Sequence, residues 1–193
     1  MTDYQDRQDF ELGNWPELRA EVNQLVNLVY SDRKIPRQFK HELFTMASLA
    51  SGCRHCQSHG AYHLNLIGVD TERIKALWLY ETSDLFTDAE RAALDLMRAS
   101  AQSPNAAGPK HFAELRKHYD NDQIIEIMGV TCMAAWLNRW NDTIATVTDQ
   151  ESVDWATENL SEVGWERGKH VGEDHEQRPG HPVSIGWVEE AEQ

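Results

Sequence analysis

The sequence predicts an all-α fold, and three observations carry that prediction. Apolar residues recur at three- and four-residue spacing through most of positions 15 to 148. Helix-starting residues and helix-ending glycines punctuate the same stretch. Almost nothing before residue 150 alternates polar and apolar as a half-buried strand does.

The elements follow in order. "NWPELRAEVNQLVNLVY" offers Asn14 as an N-cap, Pro16 and Glu17 in the first turn, and a stripe of Leu18, Val22, Leu25, Val26 and Val29. "DRKIP" interrupts, and "PRQFKHELFTMASLAS" makes a second helix from Pro36 to an end at Gly52. A third helix starts at the Cys53/Cys56 pair and runs through "AYHLNLIG", closed by Gly68. Asp70 and Thr71 open a short fourth in "DTERIKALWLYE". The fifth, "TDAERAALDLMRASAQ", has Thr87 and Glu90 in the spacing of a capping box. After the loop "SPNAAGP", a sixth covers "KHFAELRKHY" and a long seventh covers "NDQIIEIMGVTCMAAWLNRWNDTIATVTD".

Residues 151–193 change character, so the expected organisation is an all-α domain over 1–150 and an accessory helix with an acidic, partly extended tail over 151–193. This segment holds eleven acidic residues against three basic, a net −8 of the chain's −14. "SVDWATENL" suits an eighth helix, and Trp155, Trp165, Val183, Ile185 and Trp187 are the residues able to anchor the rest. Exposed, its three tryptophans would be an association liability, which favours a tail wrapped onto a neighbouring subunit over a solvated one.

Charge and composition exclude several function classes. A chain of 193 residues with a net charge of −14 and no basic stripe repels phosphate backbones, so nucleic acid is not an expected partner. No apolar run approaches membrane-spanning length, and "MTDYQDRQDFELG" lacks the basic and apolar regions of a secretory leader, so a cytoplasmic protein with no membrane partner is expected. Three cysteines are too few and too uneven for a secreted disulfide framework. Cys132, inside "IMGVTCMAAW", is expected in the core, as are Met46, Trp78 and Met97.

The chemistry concentrates in "SGCRHCQSHGAYH", residues 51–63. On a helix, Cys53 and Cys56 stand within disulfide reach of each other. At the start of that helix, unpaired N–H groups and the positive end of the dipole favour a thiolate, a far better nucleophile than a thiol. His55 and His59 add proton donors and acceptors. Glu42, in the otherwise apolar "ELFTMASLA", is either a poorly solvated proton acceptor for His59 or a water, or a solvated residue on an amphipathic helix. Four ligands from Cys53, Cys56, His59 and His63 would strain a tetrahedral zinc site on one helix, and no βαβ pattern supports a thioredoxin-like reading. His63 is expected to be an ordinary helix-face residue.

"ELFTMASLASGCRHCQSH" resembles the core of the carboxymuconolactone decarboxylase-like superfamily, in its AhpD-like, peroxidase-related branch. "FTDAERAALDLMRASAQSP" and the later "FAELRKHYDNDQIIEIMGVTCMAAWLNRWNDTIA" are similar to the downstream half, with Asn138, Arg139, Trp140, Asn141 and Asp142 matching its signature. The resemblance spans roughly residues 15 to 148 and implies an AhpD-like helical bundle assembled as trimers or hexamers. It further implies that Cys56 attacks a hydroperoxide and becomes a sulfenic acid, that Cys53 resolves it as a disulfide, and that Glu42, His59 and His55 relay protons. A dithiol or protein reductant would then restore the pair. No cofactor and no metal are implied. Two features depart from the family pattern. The histidine stands three residues after Cys56, with Gly60 in the four-after place, and Glu42 lies one residue closer to the motif.

The resulting expectation is a thiol-dependent peroxidase or disulfide oxidoreductase. Three other readings stand beside it: a lactone decarboxylase, for which the Cys pair is not needed; a non-catalytic redox-sensing or binding oligomer; and a metal-binding protein. Arg139 and the flanking asparagines are expected to serve helix ends or an interface more than a substrate.

Overall fold

Helical periodicity becomes helix throughout the computed structural model, which describes residues 15–171. Eight α-helices and three short 3₁₀ turns form an all-α bundle, with no strand among the described residues. The helices are α1 (Pro16–Val29), α2 (Arg37–Ser51), α3 (Arg54–Leu66), α4 (Thr71–Ala76), α5 (Asp88–Ser100), α6 (Pro109–Leu115), α7 (Asn121–Thr143) and α8 (Gln150–Leu160).

Local chemistry sets their ends. Asp70 and Asp149 cap α4 and α8 by accepting the N–H groups of Glu72 and Ser152. Reciprocal capping boxes open α5 (Thr87 with Glu90) and α7 (Asp120 with Gln123). Helix α1 begins at Pro16 with Trp15 as its N-cap and no side-chain cap bond. The cap expected from Asn14 lies outside the described residues, as do the anchors expected at Val183, Ile185 and Trp187.

Helix α2 is the centre of the bundle and packs against α3, α5 and α7. Its Leu43, Phe44, Met46 and Ala47 meet Ala61 and Leu64 of α3, Leu94 and Met97 of α5, and Ile127, Val130 and Ala134 of α7 in one continuous core. Gly60 lets α2 and α3 approach. A Cβ there would stand 2.8 Å from Thr45 Oγ1 and 3.0 Å from a Phe44 ring carbon. Residues beyond 150 join the same core through Val153, Ala156, Leu160 and Trp165, with α8 lying on α3.

Met46 and Met97 are core residues and Trp78 packs partly buried against them, as expected. Cys132 is not: it is exposed on α7. Its neighbours Thr131, Met133 and Ala134 take the buried faces of that helix, which leaves position 132 pointing outward. No helix among the described residues is long and apolar enough to cross a membrane.

Two buried ion pairs brace α2. The Lys40 ammonium, 1% exposed, donates to Val29 O at 3.0 Å and Ser31 O at 2.9 Å, and lies 3.0 Å from Glu126 Oε2. Glu126 also accepts the Ile35 N–H at 3.2 Å, tying α7 to the turn before α2. On another side, Arg73 grips Glu42 with Nε at 2.9 Å and Nη2 at 2.8 Å while its guanidinium covers the Phe86 ring at 4.6 Å.

Candidate active site

The site is built by the turn between α2 and α3. Gly52 ends α2 in the left-handed region at φ 82, which a side chain would disfavour, and the chain returns at once to extended backbone at Cys53. Cys53 becomes the N-cap of α3, and its sulfur accepts the Cys56 N–H at 3.4 Å. The two sulfurs stand 3.0 Å apart, both buried and both reduced.

Electrostatics divide the pair. Cys53 is held down at about 6, first by the hydrogen bond from Cys56, against burial, with further help from His170 and the Cys56 N–H. Cys56 is pushed well up by burial and then by its hydrogen bond to Cys53 and the charge there. Two sulfurs sharing one proton behave as a unit, with the charge resting on Cys53. That assignment refines the expected helix-start effect, since it acidifies the sulfur at the cap itself.

Cys56 faces a different set of groups. Asn141 Nδ2 lies 3.5 Å from its sulfur, and Asn141 Oδ1 accepts the Thr146 hydroxyl at 2.9 Å, which fixes the amide's orientation. The Tyr30 phenol is pushed well up by burial and then by the charge of Cys56. Tyr30 stacks on His41 with ring centroids 4.9 Å apart, and His41 meets His63 at 4.3 Å. Tyr30 Oη, His41 Nε2 and His63 Nε2 are buried and make no hydrogen bond among the described residues. Burial, then His63, then Arg37 push His41 down to about 3.

The expected site residues take different places. His55 is buried, with Nδ1 3.0 Å from Thr148 Oγ1. His59 stacks parallel to His55 at a centroid distance of 6.0 Å and continues toward His63 at 6.5 Å, so one face of α3 carries three imidazoles at four-residue spacing. Burial first, then His63 and His41, push His59 down to about 3. Its 4.0 Å approach to Asp149 is therefore a neutral contact and no ion pair. Of the two settings open to Glu42 the structure gives the buried one, but both its oxygens are taken by Arg73, and Gln38 Nε2 donates a further bond at 2.9 Å. A carboxylate so occupied is in no position to accept a proton from His59.

A group not anticipated from the sequence completes the surroundings of Cys53. His170, 1% exposed, sits in a 3₁₀ turn (Gly168–His170) that packs on α3. One ligand-type atom each from Cys53, His170 and Asp142 lies within 4.8 Å of the others, a grouping of three that no other potential metal ligands form among the described residues. Lys169 Nζ sits 3.0 Å from Asp142 Oδ2, and His170 Nδ1 lies 2.8 Å from Thr146 O, which leaves Nε2 as the ring nitrogen within the trio. Of the residues that sequence reasoning passed over, His63 had a signal in the His55, His59, His63 spacing. His170 had none, because only tertiary packing brings it to Cys53.

No protein-family model matches the chain, and no curated protein matches it. Solved structures do. The debrominase Bmp8 is 28% identical, with a TM-score of 0.72 over 79% of this chain and 80% of that one. A cysteine-to-alanine variant of Bmp8 in complex with 2,3,4-tribromopyrrole is 28% identical, with a TM-score of 0.73 over 76% and 79% of the two chains. A protein of unknown function from Agrobacterium tumefaciens, described as an AhpD-type antioxidant defence protein, is 23% identical, with a TM-score of 0.66 over 72% of this chain and 95% of that one. An AhpD-core, peroxidase-related protein from Ralstonia eutropha is 17% identical, with a TM-score of 0.65 over 74% and 76%. The chain shares the AhpD-like all-α fold of these structures.

Proposed function

We propose that the protein is a thiol-dependent oxidoreductase in which Cys53 and Cys56 deliver two electrons to a hydroperoxide and leave as a disulfide. The observation that carries this reading is the pair itself: two reduced sulfurs 3.0 Å apart at a helix start, one of them titrating near 6. At neutral pH the pair holds one proton and one charge. When that proton crosses to Cys53, Cys56 becomes the thiolate on the side of Asn141 and Tyr30, and attacks the O–O bond. Cys56 takes the terminal oxygen as a sulfenic acid and the alkoxide departs. Cys53 then attacks the Cys56 sulfur, closing the disulfide and expelling the oxygen as water. The balance is one hydroperoxide and two thiols giving one alcohol, one water and one disulfide. An external dithiol or protein reductant restores the pair by exchange.

His59 and His63 follow Cys56 on the same face of α3, and His41 meets His63 there. As neutral rings with unspent nitrogens at His41 and His63, they offer a substrate oxygen hydrogen-bonding partners in a buried setting. His55 and His59 keep the relay role the resemblance implies, and Glu42 becomes a structural residue. Assembly as a trimer or hexamer belongs to the same proposal. Leu25 and Leu28 on α1 and Leu66 at the end of α3 are exposed apolar side chains that such assembly would cover, and light scattering of the purified protein measures it.

A second reading is favoured by one observation, the 28% identity to a debrominase solved with a bromopyrrole. The same dithiol supplies the electrons for replacing carbon-bound bromine with hydrogen, two thiols giving one disulfide and hydrogen bromide. Side-by-side turnover of cumene hydroperoxide and of a bromopyrrole with dithiothreitol as reductant decides between them. The peroxidase reading expects alcohol formation lost in Cys56→Ser; bromide release alone would replace it.

A further inference from the structure

We propose that His170, carried by the segment beyond the superfamily core, is the counter-charge and proton store for Cys53, held in its charged form by Asp142. The inference deepens the thiol reading above and rests on it.

Both nitrogens of the His170 ring face acceptors. Nδ1 lies 2.8 Å from the Thr146 carbonyl oxygen, which has no proton to give, so Nδ1 carries one. Nε2 lies 3.3 Å from Asp142 Oδ1, and Cys53 Sγ belongs to the same tight group. A lone pair on Nε2 would face the Asp142 carboxylate, which a proton there bonds instead. The geometry therefore selects imidazolium, the counter-charge that a thiolate at Cys53 needs. Burial works against the charge on His170, but the hydrogen bond and charge of Cys53, with Thr146 and Asp142, move the net shift upward.

The turn that carries His170 is fixed from several directions. Thr148 N–H donates to His170 O at 3.1 Å, and Gly168, at φ 63, leaves no room for a Cβ beside the Arg54 side chain, 2.9 Å away. The charged and titratable groups facing His170 are Cys53, His55 (ring centroids 5.8 Å apart) and the Arg54 stem on α3, and Asp142 on α7 with its partner Lys169. Cys56 stands behind Cys53.

The chemistry balances with this proton. Reduction of one hydroperoxide by two thiols needs two protons, for the alcohol and the water. The resting array holds them as the shared thiol proton and the His170 imidazolium proton. When Cys53 closes the disulfide, its negative charge is consumed and His170 releases its proton to the departing hydroxide. Reduction of the disulfide reloads both. His170 acts in this scheme on the resolving sulfur, whereas Asn141 meets the attacking one.

The test uses the thiolate, so it needs no substrate. In the full-length chain, thiolate absorbance and alkylation rate are followed against pH for the wild type, His170→Gln and Asp142→Asn. His170→Gln is expected to move the first thiol titration up by at least one pH unit and to cut alkylation at pH 6.5 about tenfold, with the rates converging at pH 9. Asp142→Asn is expected to shift it in the same direction by less. A folded His170→Gln protein with the wild-type titration would overturn the assignment. Nitrogen-15 NMR of the histidine rings in the unmodified protein gives an independent reading. An imidazolium at pH 7 that turns neutral in Cys53→Ser supports the pair, and a neutral His170 in the wild type contradicts it. One zinc per chain bound tightly to the purified protein would also contradict it, by making the trio a metal centre. Failure to turn over peroxide, with these titrations as expected, would remove the peroxidase reading and leave this one standing.

Discussion

Helix α2 buries polar groups in two opposite ways. Lys40 with Glu126, and on another side Glu42 with Arg73, form closed networks in which every named charge meets its opposite within 3.0 Å. His41, between them in sequence, meets Tyr30 and His63 through ring faces, and Tyr30 Oη, His41 Nε2 and His63 Nε2 are buried without hydrogen bonds among the described residues. Burying an unsatisfied polar group costs about 1–3 kcal/mol, so a fold keeps such groups where something other than stability selects them. Closed networks belong to the scaffold; in the proposed function, the open group beside His41 is where a substrate oxygen would complete the bonding. Glu42 and His41 are adjacent in sequence and fall on opposite sides of that line.

The largest expected effect breaks the comparison at its reactive end. Cys53→Ser and Cys56→Ser should each abolish multiple turnover while leaving the fold intact, as measured by hydroperoxide consumption and circular dichroism. Single-turnover sulfenic acid trapping should survive only in Cys53→Ser. Next come the scaffold pairs. Lys40→Met leaves the buried Glu126 carboxylate without its ammonium and should cost about 3–5 kcal/mol in urea unfolding, whereas Glu42→Gln should cost less because Arg73 keeps Glu90; turnover per folded molecule should be unchanged in both. A Glu42→Gln protein of normal stability and lost activity would return Glu42 to the relay.

A smaller effect comes from acid. His41 and His59 titrate near 3 in the folded chain and near 6.5 unfolded, so below 6.5 the unfolded state binds more protons and stability falls as pH falls. Each should cost about 2 kcal/mol at pH 5, read from urea midpoints at pH 7 and pH 5. Replacing either by Gln should remove its share of that loss. The smallest effect on stability is also the most discriminating. Tyr30→Phe removes a hydroxyl that bonds nothing among the described residues, so unfolding should change by no more than about 1 kcal/mol, while KM for the hydroperoxide rises. A loss of several kcal/mol there would put Tyr30 in the scaffold.

The helices and their caps were legible because they are local. Thr87 with Glu90, Asp70, and Gly52 specify their ends within a few residues. The cysteine pair was legible for the same reason, as three-residue spacing at a helix start. Glu42 shows the limit. Its apolar neighbours made burial one of two settings, but a helix face is chosen by what packs there, and Arg73 stands thirty-one residues away in the chain. Cys132 failed similarly, because α7 is apolar around much of its circumference and periodicity alone does not say which side faces out. Nothing local announces His170, 117 positions after Cys53; it lies at the start of a segment whose net −8 composition pointed to solvent or a neighbouring subunit, and only the fold brings it to the site.

The central claim is that the sulfur pair is ionised at neutral pH because a helix start, a second thiol and an imidazolium surround it. Thiolate absorbance of the reduced wild-type protein, titrated from pH 4 to 10, tests it most directly. The account expects one thiolate to appear with a midpoint near 6 and the second only at strongly alkaline pH, with the first step missing in Cys53→Ser. Two thiols titrating together near 9 would contradict it.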